Sequence, residues 1–257
     1  MDLYKLTAHE LHEKLVNKEV SSVELTNAVI ARVDAVEDQV NAYVTLDKEN
    51  ALAQAAKVDA KIAAGEKIAP LAGIPGAIKD NISTKGLRTT CSSKMLENFI
   101  PVYDAHVIKN LRADETIFLG KTNLDEFAMG STTKTSHFGV THNPWNLDRV
   151  PGGSSGGSSS AVAAGLAPIV TGTDTGGSIR QTGSFCGTVA VKPTYGVVSR
   201  YGVVAFGSSL DQVGPFARNV QDAALAMNAL AGHDPLDCTS QPVTTDFTAN
   251  LAEGVSG

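Results

Sequence analysis

The sequence predicts an α/β protein in which helices flank a sheet. The chain has 257 residues, of which 42% are hydrophobic and 19% charged, and this is enough apolar material for a sizeable core. After Pro70, short apolar runs alternate with helical stretches, which is typical of α/β folds. The stretch before that shows helical patterns. We therefore expect an N-terminal helical segment, 1–65, followed by an α/β core, 66–257.

Start and stop signals define the helices of the N-terminal segment. Thr7-x-x-Glu10 and Ser21-x-x-Glu24 have the form of capping boxes, in which side chains bind the free amides of a helix start. Apolar residues then recur at helical spacing in the second helix, at Leu25, Val29, Ile30, Val33 and Val36. A third, alanine-rich helix is expected over 48–64, with Gly65 at its C-terminal end.

In the α/β core, buried strands are predicted from apolar runs at 73–78, 116–119, 169–172 and 197–205. A helix is expected near 104–112, and a capped turn at Asn123-x-x-Glu126. The last predicted helix spans about 220–230, with Asn219 as its N-cap and Gly232 behind it. Beyond Gly232 the chain is rich in Pro, Thr, Ser and Asp and is expected to form a loop.

Charge and cysteine content exclude several classes of protein. With 21 basic and 27 acidic residues the net charge is −6, so the chain lacks the cationic field of a protein that grips nucleic acid directly. Three cysteines without a C-x-x-C pair fit reduced thiols in a cytoplasmic protein. The N-terminus has no apolar signal region, and the longest apolar stretch, 161–170, is short. We expect a chain that is neither secreted nor membrane-spanning.

Glycine is concentrated in one window of the chain. Ten of the 24 glycines lie between Pro151 and Thr188, and two Gly-Gly-Ser turns end at Ser154 and Ser178. Glycines allow the backbone to approach a substrate closely, and free amides at such a turn can stabilise an anion. A serine at the end of the turn can then act as a nucleophile. We therefore expect the functional residues in this window.

The same window allows other interpretations. A Gly/Ser-rich stretch is often a flexible linker, and a phosphate-binding loop would require a Lys after the glycines, which is missing. The residues 152–156 match the G-x-S-x-G nucleophile elbow, but only His233, in the Pro-rich tail, follows His142 as a possible base. Ser131-x-x-Lys134 matches a β-lactamase motif whose companion motifs are absent from the sequence.

Without a suitable histidine, a lysine can serve as the base if burial keeps it neutral. Lys79 is the best candidate because it follows the apolar run 73–78, which is interpreted as a buried strand. Ligand chemistry in α/β sheets collects at such strand ends. Pairing of Lys79 with Asp80, or a position on the surface, is equally compatible with the sequence.

Four motifs combine into one extended pattern: Ile78-Lys79-Asp80-Asn81, the Gly-Gly-Ser-Ser-Gly-Gly turn at 152–157, the run from Thr173 to Arg180, and Phe185-Cys186-Gly187. This pattern resembles the amidase signature family, and the spacing from Lys79 to Ser154 to Ser178 fits it as well. Further runs at 120–130, 192–196 and 208–215 are similar to the tRNA-dependent amidotransferases within that family. The resemblance implies the amidase signature fold, with a mixed central sheet flanked by helices.

The resemblance also assigns roles to individual residues. It implies that Ser178 is the nucleophile that forms the acyl intermediate, that Ser154 relays its proton, and that Lys79 is the terminal base. The peptide bond between Gly153 and Ser154 is expected to be cis. The remaining assignments are backbone amides of an oxyanion hole at Thr175, Gly176, Gly177 and Ser178, a substrate pocket at Met129 and Gly130, and supporting side chains at Ser155, Asp174 and Arg180.

By the same resemblance, the substrate is glutamine and the product is ammonia. The ammonia is used on a partner, the B subunit, where ATP and Mg²⁺ activate Glu-tRNA(Gln), and a small C subunit joins the complex. No cofactor or metal is expected on this chain, and tRNA is expected to contact only the complex. Proteins of this kind continue well past the equivalent of Gly257, so the chain is expected to be truncated. A stand-alone amidase and an inactive truncated chain remain alternatives.

Overall fold

The computed structural model describes residues 2–254, and within them six strands form one mixed sheet. The strands are β1 (Tyr43–Leu46), β2 (Pro75–Lys79), β3 (Ile117–Thr122), β4 (Ile169–Asp174), β5 (Val189–Ala190) and β6 (Gln212–Ala217). Their spatial order is β1-β3-β2-β4-β6-β5. β2 runs parallel to β3 and β4, whereas the β1–β3, β4–β6 and β5–β6 pairs are antiparallel. The sheet is therefore mixed, as the resemblance implies.

The α-helices of the described part are α1 (Ala8–Val16), α2 (Ser22–Val40), α3 (Lys48–Ala63), α4 (His106–Ala113), α5 (Gly156–Ala164), α6 (Arg180–Cys186) and α7 (Val220–Leu230). The capping boxes expected at Thr7 and Ser21 are both formed. Asn219 caps α7, because its side chain accepts a hydrogen bond from the Asp222 amide at 2.7 Å. Gly65 follows α3 with a φ of +78°, the left-handed conformation expected of a residue behind a helix. These predictions from the sequence are confirmed.

Strands β2, β3, β4 and β6 are buried along their whole length, which explains the apolar runs that predicted the first three. From α2, the predicted stripe contributes the buried side chains of Leu25, Val29 and Val33 to the same core. Each such side chain contributes roughly 1.5–3 kcal/mol when it leaves water. β4 and β6 are held in register by pairs that include Thr173 with Val213 and Asp174 with Gln212. The strand order places β4 in the middle of the sheet.

Two element predictions are wrong. The run 197–205 forms turns rather than a strand, with only a single bridge between Val203 and Ile82. Gly202 interrupts the run with a φ of +82°, and Gly196 precedes it with a φ of +84°; an extended strand accommodates neither value. The strand lies further on, as β6. Its Gly and Pro residues are uncommon inside strands, so the sequence did not predict it.

The expected turn capped by Asn123 is also absent from the described residues. The short 3₁₀ turn there spans Glu126–Ala128, and Asp125 precedes it. Glu126 accepts a hydrogen bond from the Ser93 hydroxyl at 2.6 Å, and the Asn123 amide group donates to Thr141 at 3.0 Å. Both side chains have partners on other loops, and these contacts prevail over a local capping box.

The segment 1–65 holds the three expected helices and also the unpredicted strand β1, which pairs with β3. The segment is therefore joined to the sheet, and the boundary at 65/66 stays a prediction. In the part of the chain that is described, none of the helices is long and apolar enough to cross a bilayer.

Candidate active site

Lys79, the last residue of β2, lies at the centre of a buried polar site. Its Nζ atom is 2.8 Å from Ser154 Oγ, 2.7 Å from Ser155 Oγ and 2.8 Å from Thr173 Oγ1. Lys79, Ser154 and Ser155 are fully buried, and Thr173 is 4% exposed. The structure thus brings together the proposed base and the proposed relay serine, which are 75 residues apart in sequence.

The surroundings of Lys79 change its proton affinity. Burial disfavours the ammonium form and lowers the pKa of Lys79 to about 7, although the carboxylates of Asp125, Asp174 and Asp211 act in the opposite direction. At neutral pH a large fraction of Lys79 is therefore an uncharged amine. A pKa near the working pH is what a general base requires.

Asp80 is not the partner of Lys79. Its Oδ1 atom lies 4.0 Å from the Nζ atom of Lys121 on the neighbouring strand, and its Oδ2 accepts a hydrogen bond from the Thr90 amide at 2.9 Å. The sequence left open a pair between Lys79 and Asp80, or a surface position for Lys79. Both interpretations are wrong, because β2 carries the Lys79 side chain into the buried site.

The Gly/Ser-rich window is not a linker. Residues 151–160 are all buried, and α5 begins inside the first Gly-Gly-Ser turn, at Gly156. The structure also argues against a nucleophile elbow, because the basic group beside Ser154 is Lys79, whereas His233 is exposed in the tail. Ser131 and Lys134 are exposed as well, which leaves the β-lactamase motif without a buried site. The peptide bond between Gly153 and Ser154 is cis, as expected.

Asp174, at the end of β4, organises the second Gly-Gly-Ser turn. Its carboxylate accepts hydrogen bonds from the amides of Gly177 at 2.8 Å and Ile179 at 2.9 Å, and from the Arg180 guanidinium at 2.9 Å and 3.2 Å. Burial alone would raise the pKa of Asp174, but the hydrogen bonds from Arg180 and the amides outweigh burial and hold the pKa below its usual range. The turn is therefore built around a permanent negative charge.

Ser178 lies at the end of that turn and is partly exposed. Its carbonyl oxygen accepts a hydrogen bond from the Ser155 amide at 3.2 Å, so the backbone joins the two Gly-Gly-Ser turns. Within residues 2–254 the Ser178 hydroxyl forms no hydrogen bond, and a contact with the Ser154 hydroxyl is not made. The backbone thus joins Ser178 to Ser155, the residue that follows Ser154 in the chain.

The amides expected to form the oxyanion hole differ in availability. The Gly177 amide donates to Asp174, and the Thr175 side chain donates to Asp211. In the described part of the chain, the amides of Thr175, Gly176 and Ser178 form no hydrogen bond. Gly177 has a φ of +131°, a conformation that favours glycine. The Gly177 amide is therefore already engaged, and the amides of Thr175, Gly176 and Ser178 are the better candidates.

The expected pocket residues Met129 and Gly130 are exposed and follow the 3₁₀ turn. Two buried residues support the site in ways that were not predicted from the sequence. Thr173 contacts Lys79. In the sequence it stands at the end of an apolar run, just before the next turn. Asp125 accepts hydrogen bonds from the loop that follows Gly130, and its indications in the sequence were its place behind a buried strand and its membership of the run 120–130.

Comparisons with known proteins agree with this geometry. The sequence model of the Amidase family matches residues 24–256. The A subunit of the glutamyl-tRNA(Gln) amidotransferase is 57% identical in Desulforamulus reducens and 60% identical in Desulforudis audaxviator. Each of these alignments covers 100% of this chain, but 53% and 52% of the relative. The chain therefore spans about half the length of the curated relatives it matches.

Solved structures show the same fold. The glutamyl-tRNA(Gln) amidotransferase A subunit of Thermotoga maritima is 45% identical with a TM-score of 0.88, covering 100% of this chain and 53% of that one. A peptide amidase from Stenotrophomonas maltophilia is 37% identical with a TM-score of 0.91, covering 96% of this chain and 53% of that one. The buried lysine and serines described above thus lie in a fold shared with proteins whose names state amide chemistry.

Proposed function

This chain belongs to the amidase signature family, and we propose that it is the glutaminase part of the A subunit of a glutamyl-tRNA(Gln) amidotransferase. The observation that carries the proposal is the buried 2.8 Å contact between Lys79 Nζ and Ser154 Oγ. A lysine with a pKa of about 7 can take a proton from a serine at neutral pH. The high identity to the corresponding amidotransferase subunits of several bacteria favours glutamine as the amide.

In the proposed reaction, the Ser178 Oγ atom attacks the side-chain carbonyl carbon of glutamine. The Ser178 proton passes to Ser154, whose own proton passes to the neutral Lys79. The negative charge that forms on the carbonyl oxygen is held by backbone amides, of which those of Thr175, Gly176 and Ser178 are the candidates. Removing one such donor typically costs about 3 kcal/mol of transition-state stabilisation.

The tetrahedral intermediate collapses when its C–N bond breaks. Protonated Lys79 returns a proton through Ser154 to the leaving nitrogen, and ammonia is released. Water then attacks the glutamyl ester of Ser178 with Lys79 and Ser154 again acting as base and relay, which yields glutamate and free Ser178. Asp174 and Arg180 support the turn that carries Ser178, and Ser155 supports Lys79.

The destination of the ammonia is part of the proposal. We propose that it reaches a partner, the B subunit, where ATP and Mg²⁺ activate Glu-tRNA(Gln), and that a small C subunit completes a cytoplasmic heterotrimer. This chain would then need no cofactor of its own. The net charge of −6 supports the view that tRNA contacts other members of the complex.

A stand-alone amidase is the second candidate, because the peptide amidase of Stenotrophomonas maltophilia has the same fold at 37% identity. Ammonia release from glutamine, compared with release from propionamide, separates the two candidates. Ser178→Ala should abolish acyl-enzyme formation, and Ser184→Ala, the same change at an exposed serine of α6, is the matched control. Turnover of propionamide without turnover of glutamine would disprove the glutaminase proposal.

The inactive alternative has its own test. A fluorophosphonate probe that never labels Ser178 in the folded chain would favour a catalytically silent fragment. Copurification with a tRNA-binding protein would support the amidotransferase complex. These measurements should be made on the chain alone and after coexpression with partner subunits.

A further inference from the structure

Asp125 is a fully buried carboxylate that joins two parts of the candidate site. Its Oδ2 atom accepts hydrogen bonds from the amides of Thr132 at 3.1 Å and Thr133 at 2.8 Å, and its Oδ1 accepts one from the Thr135 hydroxyl at 3.1 Å. The Asp125 amide donates to the Ser154 carbonyl oxygen at 3.2 Å. One residue therefore connects the loop after the expected substrate pocket to the proposed relay serine.

Two glycines make room for this carboxylate. A Cβ atom on Gly130 would lie 2.4 Å from Asp125 Cγ, and one on Gly153 would lie 2.1 Å from Asp125 Oδ2. Neither position requires glycine for its backbone angles, since neither φ is positive. The small side chains thus leave the space that the carboxylate fills. Asp125 is enclosed by the pocket residue on one side and by the residue before Ser154 on the other.

The charge of Asp125 also reaches Lys79. The ionisable groups that face Lys79 are Asp125, Asp174, Asp211 and Cys91, and all of them favour its ammonium form. Asp174 is paired with Arg180, whereas Asp125 forms no ion pair with any residue from 2 to 254. The carboxylate of Asp125 is therefore held by neutral hydrogen-bond donors of the loop.

We propose that Asp125 is a positioning residue that fixes the pocket loop, 129–135, relative to Ser154. This inference rests on the proposed function, because the pocket loop matters for catalysis only if the site hydrolyses an amide. Asp125 itself touches neither Lys79 nor the reacting atoms, and it acts through the loop, through Ser154 and through its charge.

The first test uses the folded chain and requires no turnover. Asp125→Asn keeps the size of the side chain but turns an NH₂ group toward some of the loop donors. We expect hydrogen exchange at the Thr132 and Thr133 amides to become at least about tenfold faster. We also expect Lys79, followed by its ¹³Cε and ¹⁵Nζ shifts in NMR, to titrate at lower pH than in the wild type. Asp148→Asn, the same change at an exposed carboxylate, should alter neither.

The second test is kinetic. For Asp125→Asn we expect KM for glutamine to rise about tenfold while kcat changes less than about threefold, because the Ser154 contact is made by the backbone amide. The acid limb of kcat should move to lower pH. If the role of Asp125 were purely structural, Asp125→Asn would lower the amount of folded enzyme. The molecules that do fold would keep the wild-type KM and pH profile.

The outcomes separate the inference from the proposed function. If the wild-type chain and its complexes hydrolyse no glutamine, the proposed function fails, and amide exchange and the Lys79 titration alone decide the role of Asp125. If both are unchanged in a folded Asp125→Asn variant, the inference is overturned. An unchanged KM in an active enzyme overturns the link to the pocket. Should Asp125→Asn not fold, Thr135→Val removes one donor to the carboxylate and the acceptor of the Glu126 amide, and amide exchange and KM for glutamine then decide the role of Asp125.

Discussion

The Ser155 hydroxyl lies 2.7 Å from the Nζ atom of Lys79 and donates its own proton to the Thr173 carbonyl oxygen at 3.1 Å. Ser155 can therefore only accept a hydrogen bond from Lys79. A neutral amine has two N–H bonds and one lone pair, and Thr173 Oγ1 can accept the second N–H. The lone pair is then left for the hydroxyl of Ser154, as proton transfer from Ser154 to Lys79 requires.

Ser155→Ala tests this arrangement. The variant removes an acceptor from a fully buried site, so we expect the free energy of unfolding to fall by about 1–3 kcal/mol. We also expect turnover to fall more than the loss of folded protein explains, because the Lys79 lone pair is no longer directed. Urea unfolding and ammonia release measure the two effects. Wild-type turnover in a folded Ser155→Ala variant would contradict the hydrogen-bond assignment.

Lys79→Met should abolish turnover and change how stability depends on pH. The folded-state pKa of Lys79 is about 7, below the ordinary 10.5, so the unfolded chain binds more protons between these values. The wild type is therefore stabilised as pH rises from about 7 to about 10, by up to about 1.4 kcal/mol per pH unit from this residue. Lys79→Met should remove that part of the slope in urea unfolding. Normal turnover in Lys79→Ala would exclude Lys79 as the base.

The two Gly-Gly-Ser turns should respond differently to an added methyl group. In Gly153→Ala the new Cβ would lie 2.1 Å from Asp125 Oδ2 and 2.4 Å from the Thr132 amide nitrogen, so we expect destabilisation of about 1–3 kcal/mol. Gly176→Ala is the matched control, because a Cβ there has no neighbour within 4 Å. It should change stability by less than about 0.5 kcal/mol. Thermal unfolding of both variants checks the difference, and equal losses would refute it.

The contribution of Glu37 to the free energy of unfolding should depend on pH with the sign opposite to that of Lys79. Burial raises the pKa of Glu37 to about 7, although the amides of Tyr43 and Ala42 bind its carboxylate. The folded chain therefore binds more protons than the unfolded chain between pH 4.5 and pH 7, and stability from this group falls as pH rises through that window. Glu37→Gln should flatten that part of the profile and stabilise the chain at about pH 8. A profile identical to that of the wild type would show that Glu37 is ionised in the folded state.

Much of the fold could be predicted from local signals. Thr7 and Ser21 mark their helices because a capping box is satisfied within one helical turn. β6 could not be found in this way, because Gly214 and Pro215 are strand residues here only through pairing with β4. The run 197–205 failed for the converse reason, since apolar composition alone does not supply a pairing partner.

Residues of the candidate site also differ in how well the sequence predicts them. Lys79, Ser154 and Ser178 were found because each belongs to a motif, and the contact between Lys79 and Ser154 agrees with their expected roles. The roles themselves stay predictions. Asp125 and Thr173 also lie in quoted runs, but their roles were missed because they come from contacts of the folded chain, such as that of Thr173 with Lys79, 94 residues away. Only the tertiary structure shows such partners.

The register between β2 and β4 has a consequence for the chemistry of the base. Thr173 and Asp174 are neighbours on β4, so their side chains point to opposite faces of the sheet. Thr173 faces Lys79 with a neutral hydroxyl, while Asp174 directs its charge to the turn that carries Ser178. A slip of β4 by one residue against β2 would exchange the two faces and set a carboxylate against the amine. The pairs of Gly76 with Ile169 and Ala77 with Val170 thus help to decide whether Lys79 is a base or an ammonium ion.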